Sequence, residues 1–179
     1  MNHITATAGA VLATLVAAGA TLAIAPATQA TTQAQASALP PFTTAPKSAS
    51  GHGRQAELFA VATGCHRTFD RFVVRARFGT PGYDVRYVKQ ITEDPSDRPV
   101  RLRGTKRIRV VIRQARGHTE AGTSLLPAVR TPLCPELRQV KLAGDFEGHV
   151  SFGLGLRAKR GFRVFRLTDP TRIVIDIAH

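Results

Sequence analysis

At 179 residues the chain has room for one domain of ordinary size, and its composition places that domain in the later part of the chain. The formal net charge is +13, yet no Lys, Arg, Asp or Glu precedes Lys47, so the later part carries the whole excess. Such a basic domain attracts anionic partners without identifying one. The absence of Trp and the few aromatic residues argue against a stacking platform for sugars or single-stranded nucleic acid.

Residues 1–30 have the layout of a secretory signal peptide. An uncharged run rich in Ala, Val and Leu is followed by small-residue cleavage patterns at Thr28-Gln29-Ala30 and Ala34-Gln35-Ala36. We therefore expect a secreted, extracytoplasmic protein with no stable membrane span after cleavage. The alternative is an uncleaved anchor, because the start Met1-Asn2-His3 lacks Lys and Arg and about 20 apolar residues can span a bilayer.

The next segment, 31–54, consists mainly of Ala, Thr, Ser, Gln and Pro with little charge. Such a segment buries too little apolar surface to offset its ordering entropy. We predict a disordered linker here.

From Gln55 onwards the pattern changes to short strands separated by turn residues, and no window sustains a helical period. Between the strands, 117–135 contains several Pro and Gly residues and is predicted to be a long surface loop. Over 55–179 we therefore predict an all-β domain, a β-sandwich of mostly antiparallel strands. The predicted strands are 56–63, 69–79, 84–91, 99–104, 107–115, 137–143, 146–157, 161–167 and 171–178.

The longest alternation in the chain lies in the predicted strand 146–157. Its inward face is apolar: Phe146, Val150, Phe152, Leu154 and Leu156. Its outward face ends in two glycines, which either let another backbone approach or leave a shallow groove. The candidate groove consists of the outward residues Glu147, His149, Ser151, Gly153 and Gly155.

Four segments of the predicted domain carry recognisable motifs. They are Cys65-His66-Arg67-Thr68-Phe69-Asp70-Arg71-Phe72-Val73-Val74, Pro81-Gly82-Tyr83-Asp84-Val85-Arg86-Tyr87-Val88, Gly144-Asp145-Phe146-Glu147-Gly148 with Ser151-Phe152-Gly153-Leu154-Gly155-Leu156, and Phe162-Arg163-Val164 with Asp169-Pro170-Thr171-Arg172-Ile173-Val174-Ile175-Asp176. In this order they resemble the AMIN-like domain of secreted actinobacterial proteins. The ending also resembles that of the broader AMIN domain, a β-sandwich that localises cell-wall amidases and secretion proteins in the bacterial envelope. The resemblance implies a non-catalytic envelope module with peptidoglycan as its target.

Cys65 begins the first of these segments, but the family's motif starts at His66, and neither Cys65 nor Cys134 is part of it. An even cysteine count in an exported chain predicts a disulfide, which closes a long loop and stabilises the fold by roughly 4 kcal/mol on the chain-entropy estimate. Two free buried thiols are the alternative. A nucleophile pair of Cys65 with His66 is disfavoured, because adjacent strand residues face opposite ways.

No set of residues predicts catalysis, and we expect no metal and no cofactor. Asp145, His149 and Ser151 could be considered as a triad, and Glu147 with His149 as metal ligands. Side chains two apart on one strand project in parallel, however, and rarely converge on one atom.

Charged residues also occur inside the apolar strands. Asp70 and Arg172 are predicted to meet as a structural pair, since charges near a core need partners.

The arginines of the predicted strands form a second candidate site. Alternation places several of them outward in 69–79 and 99–115. If these strands are neighbours, seven guanidinium groups share one sheet face that can engage phosphates or carboxylates: Arg75, Arg77, Arg101, Arg103, Arg107, Arg109 and Arg113. A solvated charged face without a ligand is the alternative.

Together these features predict a secreted, non-catalytic module that binds a cell-wall polymer, either peptidoglycan or an associated anionic glycopolymer. The alternative is an interaction module for another envelope protein, through the loop 117–135 and the Gly153/Gly155 groove. A hydrolase is less favoured, because no nucleophile or acid pair has a suitable arrangement. We expect no specific nucleic-acid binding.

Overall fold

Two β-sheets pack face to face in the computed structural model, which describes residues 38–179. The predicted all-β fold class is confirmed, and no helix long and apolar enough to cross a membrane occurs in this part of the chain. The expected signal peptide lies outside the described residues. The strands are β1 (Lys47–Ala49), β2 (Ala56–Cys65), β3 (Phe69–Arg77), β4 (Gly82–Val88), β5 (Lys106–Arg113), β6 (Ala115–Arg116), β7 (Val129–Arg130), β8 (Leu137–Phe146), β9 (His149–Leu156), β10 (Phe162–Leu167) and β11 (Arg172–Ala178).

The larger sheet has the strand order β1-β4-β5-β9-β8-β7, and the smaller sheet has the order β10-β11-β3-β2-β6. Neighbouring strands are antiparallel except for β2 and β6. Alternate residues of both sheets fill the core, where the rings of Phe72 and Phe152 meet edge to face at 5.4 Å. Val150, Leu154 and Leu156 are each 0% exposed, and burial of such side chains contributes about 1.5–3 kcal/mol apiece.

The chain passes between the sheets on two sides of the sandwich. Gln114, with a φ of 56°, turns the chain from β5 in the larger sheet into β6 in the smaller one. On another side, Thr43 pairs with Phe162 at the start of β10, and β1 then pairs with β4. These crossings cover part of the open edges of both sheets.

The position of β1 corrects the expected linker 31–54, whose described part is 38–54. Lys47 pairs with Val85 along the ladder, and its ammonium group lies 3.8 Å from the centroid of the Phe162 ring. Backbone pairing at a sheet edge orders this segment, and such pairing needs few apolar side chains. Composition alone therefore did not reveal it.

The predicted strand 146–157 is in fact the end of one strand and the whole of the next. Glu147 and Gly148 have φ values of 48° and 77° and form a two-residue hairpin turn between β8 and β9. Phe146 therefore ends β8 and is 47% exposed instead of facing the core. The predicted strand 99–104 is not formed either, because these residues belong to the connection between β4 and β5.

Candidate functional site

The seven arginines expected on one sheet face do not share a sheet. Arg101 and Arg103 lie in the connection between β4 and β5, and the other five lie on two different sheets. Arg75 and Arg77 are on β3 in the smaller sheet, whereas Arg107, Arg109 and Arg113 are on β5 in the larger sheet. Their side chains point outward from opposite sides of the sandwich, so the predicted single array is not formed. Alternation along a strand gives the face of each residue, but it does not give the sheet to which the strand belongs.

Several of these arginines are also engaged by the protein itself. Arg109 donates to both carboxylate oxygens of Asp94 at 2.9 and 3.0 Å, and Arg113 donates to a backbone carbonyl of β4 at 3.2 Å. Arg77 donates to Glu57 at 2.8 Å, and this bond holds the pKa of the Glu57 carboxyl below its usual value despite burial. These three guanidinium groups therefore stabilise the fold.

The candidate groove over β9 is covered by the chain's own connection 89–105. A Cβ atom at Gly153 would lie 2.8 Å from the Leu102 side chain and 3.1 Å from Ile91, and one at Gly155 would overlap the backbone oxygen of Arg103. The glycines therefore allow another segment of backbone to approach closely, which is one of the two roles predicted from the sequence, and they do not leave an open groove. Residues of the connection 89–105 therefore occupy the position of the predicted groove at Gly153 and Gly155.

Ser151 and His149 do not form a triad with Asp145. The Ser151 hydroxyl donates to Asp94 at 2.6 Å, and the Asp145 carboxylate lies 2.6 Å from the ring of His118. Ring atom Nδ1 of His149 lies 3.0 Å from a carbonyl of its own hairpin turn. What remains open beside the covered groove is a cleft of about 260 Å³, lined in part by Asp94, Arg109, Phe146, Glu147 and His149.

Cys65 and Cys134 are joined in a disulfide, which ties the end of β2 to the segment before β8. Asp70, the cross-strand neighbour of Cys65, is fully buried and accepts hydrogen bonds at 2.6 and 2.8 Å from the N–H groups of residues 136–137. The expected pair of Asp70 with Arg172 is therefore not formed. A buried carboxylate needs donors, and backbone N–H groups supply them here.

Buried Glu136 contacts three residues of the segment that follows β9. Its carboxylate is 0% exposed and accepts a hydrogen bond from the N–H of Ala158 at 3.0 Å. The same carboxylate lies 3.1 Å from Nε of Arg160 and 3.5 Å from Nε of Arg157. The two arginine side chains are 43% and 59% exposed, so part of each guanidinium group remains open to solvent.

Tyr87 makes two hydrogen bonds to the same connection between β9 and β10 that Glu136 contacts. Its hydroxyl donates to the carbonyl of Arg160 at 2.7 Å and accepts from the Arg160 N–H at 2.9 Å. Burial raises the pKa of the Tyr87 hydroxyl. The Lys159 ammonium lies 5.7 Å from the Tyr87 ring centroid, and Thr105 donates to the carbonyl of Arg157 at 2.5 Å. The connection is therefore fixed before any ligand arrives.

Basic side chains surround this fixed connection in two adjoining clefts of about 430 and 330 Å³, both lined by Thr105. No acidic residue lines either cleft within the described chain. We call their basic residues the basic end: Lys89, Lys106, Arg107 and Lys159 in the larger cleft, and Arg103, Arg138 and Arg157 in the smaller one.

Sequence reasoning found only Arg103 and Arg107 of the basic end. The other five residues lie at strand termini or in connections, where alternation says nothing: Lys89, Lys106, Arg138, Arg157 and Lys159. In the observed antiparallel order, the end of β4, the start of β5, the end of β9 and the start of β8 meet at one end of the larger sheet. Only a correct prediction of the strand order could have shown that these residues lie close together.

The described residues thus form an all-β sandwich with a basic surface at one end. The chain belongs to the AMIN-like domain family, whose model matches residues 56–179, and this confirms the resemblance. Membership of this family points to a module associated with the cell envelope outside the cytoplasm, and AMIN-like domains are generally non-catalytic. Searches of curated proteins and of solved structures found no significant match.

Proposed function

We propose that the protein attaches to an anionic polymer of the cell envelope through the basic end. The observation that supports this function is the pair of clefts with seven basic residues and no acidic lining residue in the described chain. Of the two ligands expected from the sequence, this surface favours an anionic glycopolymer over peptidoglycan, because regularly spaced phosphates or carboxylates suit an array of cations.

The energetics favour many weak contacts over a single strong one. An exposed ion pair contributes only about 0.2–1 kcal/mol, so recognition needs several cations at once. The basic end provides them around a connection already fixed by Glu136 and Tyr87, which lowers the entropy cost of binding. Binding should fall steeply with salt, because the polymer releases counterions and charges are screened over about 10 Å at ordinary ionic strength.

The alternative, an interaction module for another envelope protein, loses one of its two expected surfaces. The Gly153/Gly155 groove is occupied by residues 89–105, so only the loop 117–135 remains for such a partner.

Sedimentation with purified cell wall, with and without its anionic polymers, tests the proposal. The side chains of Lys106 and Arg107 make no hydrogen bond or ion pair within residues 38–179, so the double variant K106E/R107E leaves the backbone pairing of β5 and the other side-chain bonds intact. We expect it to bind at least tenfold more weakly, because two attractive charges become repulsive. The matched control is R75E/K141E, which reverses one Arg and one Lys outside both clefts and should bind like the wild type.

Removal of the anionic polymers from the wall should also abolish sedimentation. Undiminished binding of K106E/R107E, or of the wild type at high salt, would show that recognition does not use the basic end.

A further inference from the structure

One leucine projects from the basic end into solvent. Leu133 is 94% exposed, far more than the next large apolar side chain of the described residues, Phe78, at 55%. Leu133 lines the smaller cleft together with Arg103, Arg138 and Arg157. Isolated exposed apolar residues are common, so exposure alone does not indicate a partner.

The position of Leu133 is fixed by the fold. The next residue, Cys134, is held by the disulfide to Cys65, and residues 136–137 donate both of their N–H groups to buried Asp70. Pro132 and Pro135 restrict the backbone on either side of this leucine. An apolar side chain is therefore held outward by buried contacts, and it does not project because of a loose chain end.

The surroundings of Leu133 identify the kind of partner. A protein interface needs an apolar centre within roughly 1,000 Å² of buried surface, and a single exposed leucine among cations offers too little. An apolar side chain surrounded by cations matches the boundary of an anionic bilayer instead. There, phosphate head groups attract Lys and Arg while apolar side chains enter the acyl region.

We propose that the basic end docks on an anionic lipid surface, with Leu133 inserted at the head-group boundary and Arg103, Arg138 and Arg157 on lipid phosphates. Lys89, Lys106, Arg107 and Lys159 then lie beside the membrane in the adjoining cleft, which leaves them available to an envelope polymer near the membrane. The proposal adds lipid as a second partner of the same end. It stands or falls separately from polymer binding, because vesicles contain no polymer and purified wall contains no lipid.

The chain contains no Trp, so Leu133→Trp places a single fluorescent reporter at the proposed contact. With vesicles of phosphatidylglycerol mixed with phosphatidylcholine, the emission should shift to the blue and be quenched by brominated acyl chains. Vesicles of phosphatidylcholine alone should cause no shift, because the cations then lack anionic lipid. Phe146→Trp is the matched control, since half-exposed Phe146 ends β8 at the opposite end of the larger sheet, beside Asp94 and Glu147, and should not respond.

Leu133→Ser should lower vesicle affinity about tenfold while leaving sedimentation with wall polymer unchanged. K106E/R107E should weaken both. A folded Leu133→Trp variant whose emission does not change on anionic vesicles would overturn the proposal. So would an equal shift on neutral vesicles, or an equal shift of the Phe146→Trp control.

Discussion

At the scale of the residue, the basic end is shaped by two acids that no ligand can reach. Asp70 and Glu136 are both 0% exposed, and each takes more than one donor from the segments above it. A hydrogen bond to a charged group contributes about 1.5–3 kcal/mol, so these contacts hold their segments firmly. The buried carboxylates of Asp70 and Glu136 therefore help to fix the positions of the exposed cations.

Removal of one oxygen atom, the Tyr87 hydroxyl, tests how the connection between β9 and β10 is held. Tyr87→Phe removes the hydroxyl that bonds both backbone groups of Arg160, and it should lower the free energy of unfolding by about 1–3 kcal/mol. It should also weaken polymer binding, because Lys159 and Arg160 lose their anchor. Tyr83→Phe is the matched control, since no hydrogen bond of its hydroxyl is present in the described residues.

The same side chain gives a dependence on pH. Burial raises the pKa of Tyr87 above its ordinary 10.0, so the folded protein keeps this proton where the unfolded chain loses it. The stabilisation is therefore complete below the ordinary pKa and declines as the pH rises through the folded pKa. Urea unfolding at increasing alkaline pH should show a steeper loss for Tyr83→Phe than for Tyr87→Phe. Equal slopes and equal free energies for the two variants would refute this role of Tyr87.

At the scale of the element, the connection 89–105 adds a partial third layer outside the larger sheet. Asp94 secures this layer, since its N–H donates to the carbonyl of Ala143 at 2.9 Å and its carboxylate accepts from Arg109 and Ser151. The layer ends at Arg103, whose N–H donates to Gln139 at 3.0 Å. The glycines of β9 thus shape the basic end by allowing this connection to reach it.

Gly155→Ala should disturb this layer. Its methyl group would overlap the backbone oxygen of Arg103, and overpacking of this kind costs about 1–3 kcal/mol. Polymer binding should fall as well, because Arg103 must move. Gly64→Ala in β2 is the control, since the nearest atom to its new methyl group is 3.5 Å away in the His66 side chain. Thermal unfolding should show a lower midpoint for Gly155→Ala than for Gly64→Ala. Equal stability of the two variants would contradict the packing described.

At the scale of the whole molecule, the sandwich separates its structural and ligand-facing charges. On the strands, Arg71 and Arg163 are bound to buried Asp176, and Arg109 is bound to Asp94. At one end, where strand termini meet, seven cations line two clefts that have no acidic lining residue in the described chain. The domain therefore offers its net charge of +13 unevenly, which suits attachment by one end to an extended anionic surface.

The sequence predicted the core better than the site, for a physical reason. Ile108, Val110 and Ile112 are all 0% exposed as alternation requires, because one buried face imposes a period of two on each strand. Phe146 departs from this pattern because Glu147 and Gly148 turn the chain, and a Gly in the second turn position was the available signal.

The basic end could not be derived in the same way. Lys106 and Arg138 become neighbours of one site only through the strand order β5-β9-β8, and that order depends on long-range pairing. Local pattern carries no information on such pairing. For the same reason, alternation alone predicts Arg75 and Arg107 on one face, although the sandwich places them on different sheets.

The most direct test of polymer attachment is a nuclear magnetic resonance titration of the labelled protein with purified anionic glycopolymer. We expect the largest shifts on the basic end, above all on Lys89, Lys106, Arg107 and Lys159, and we expect them to reverse on addition of salt. Residues around Arg75 on β3 should stay unchanged. Shifts centred on β3, or on the cleft beside His149, would contradict the account.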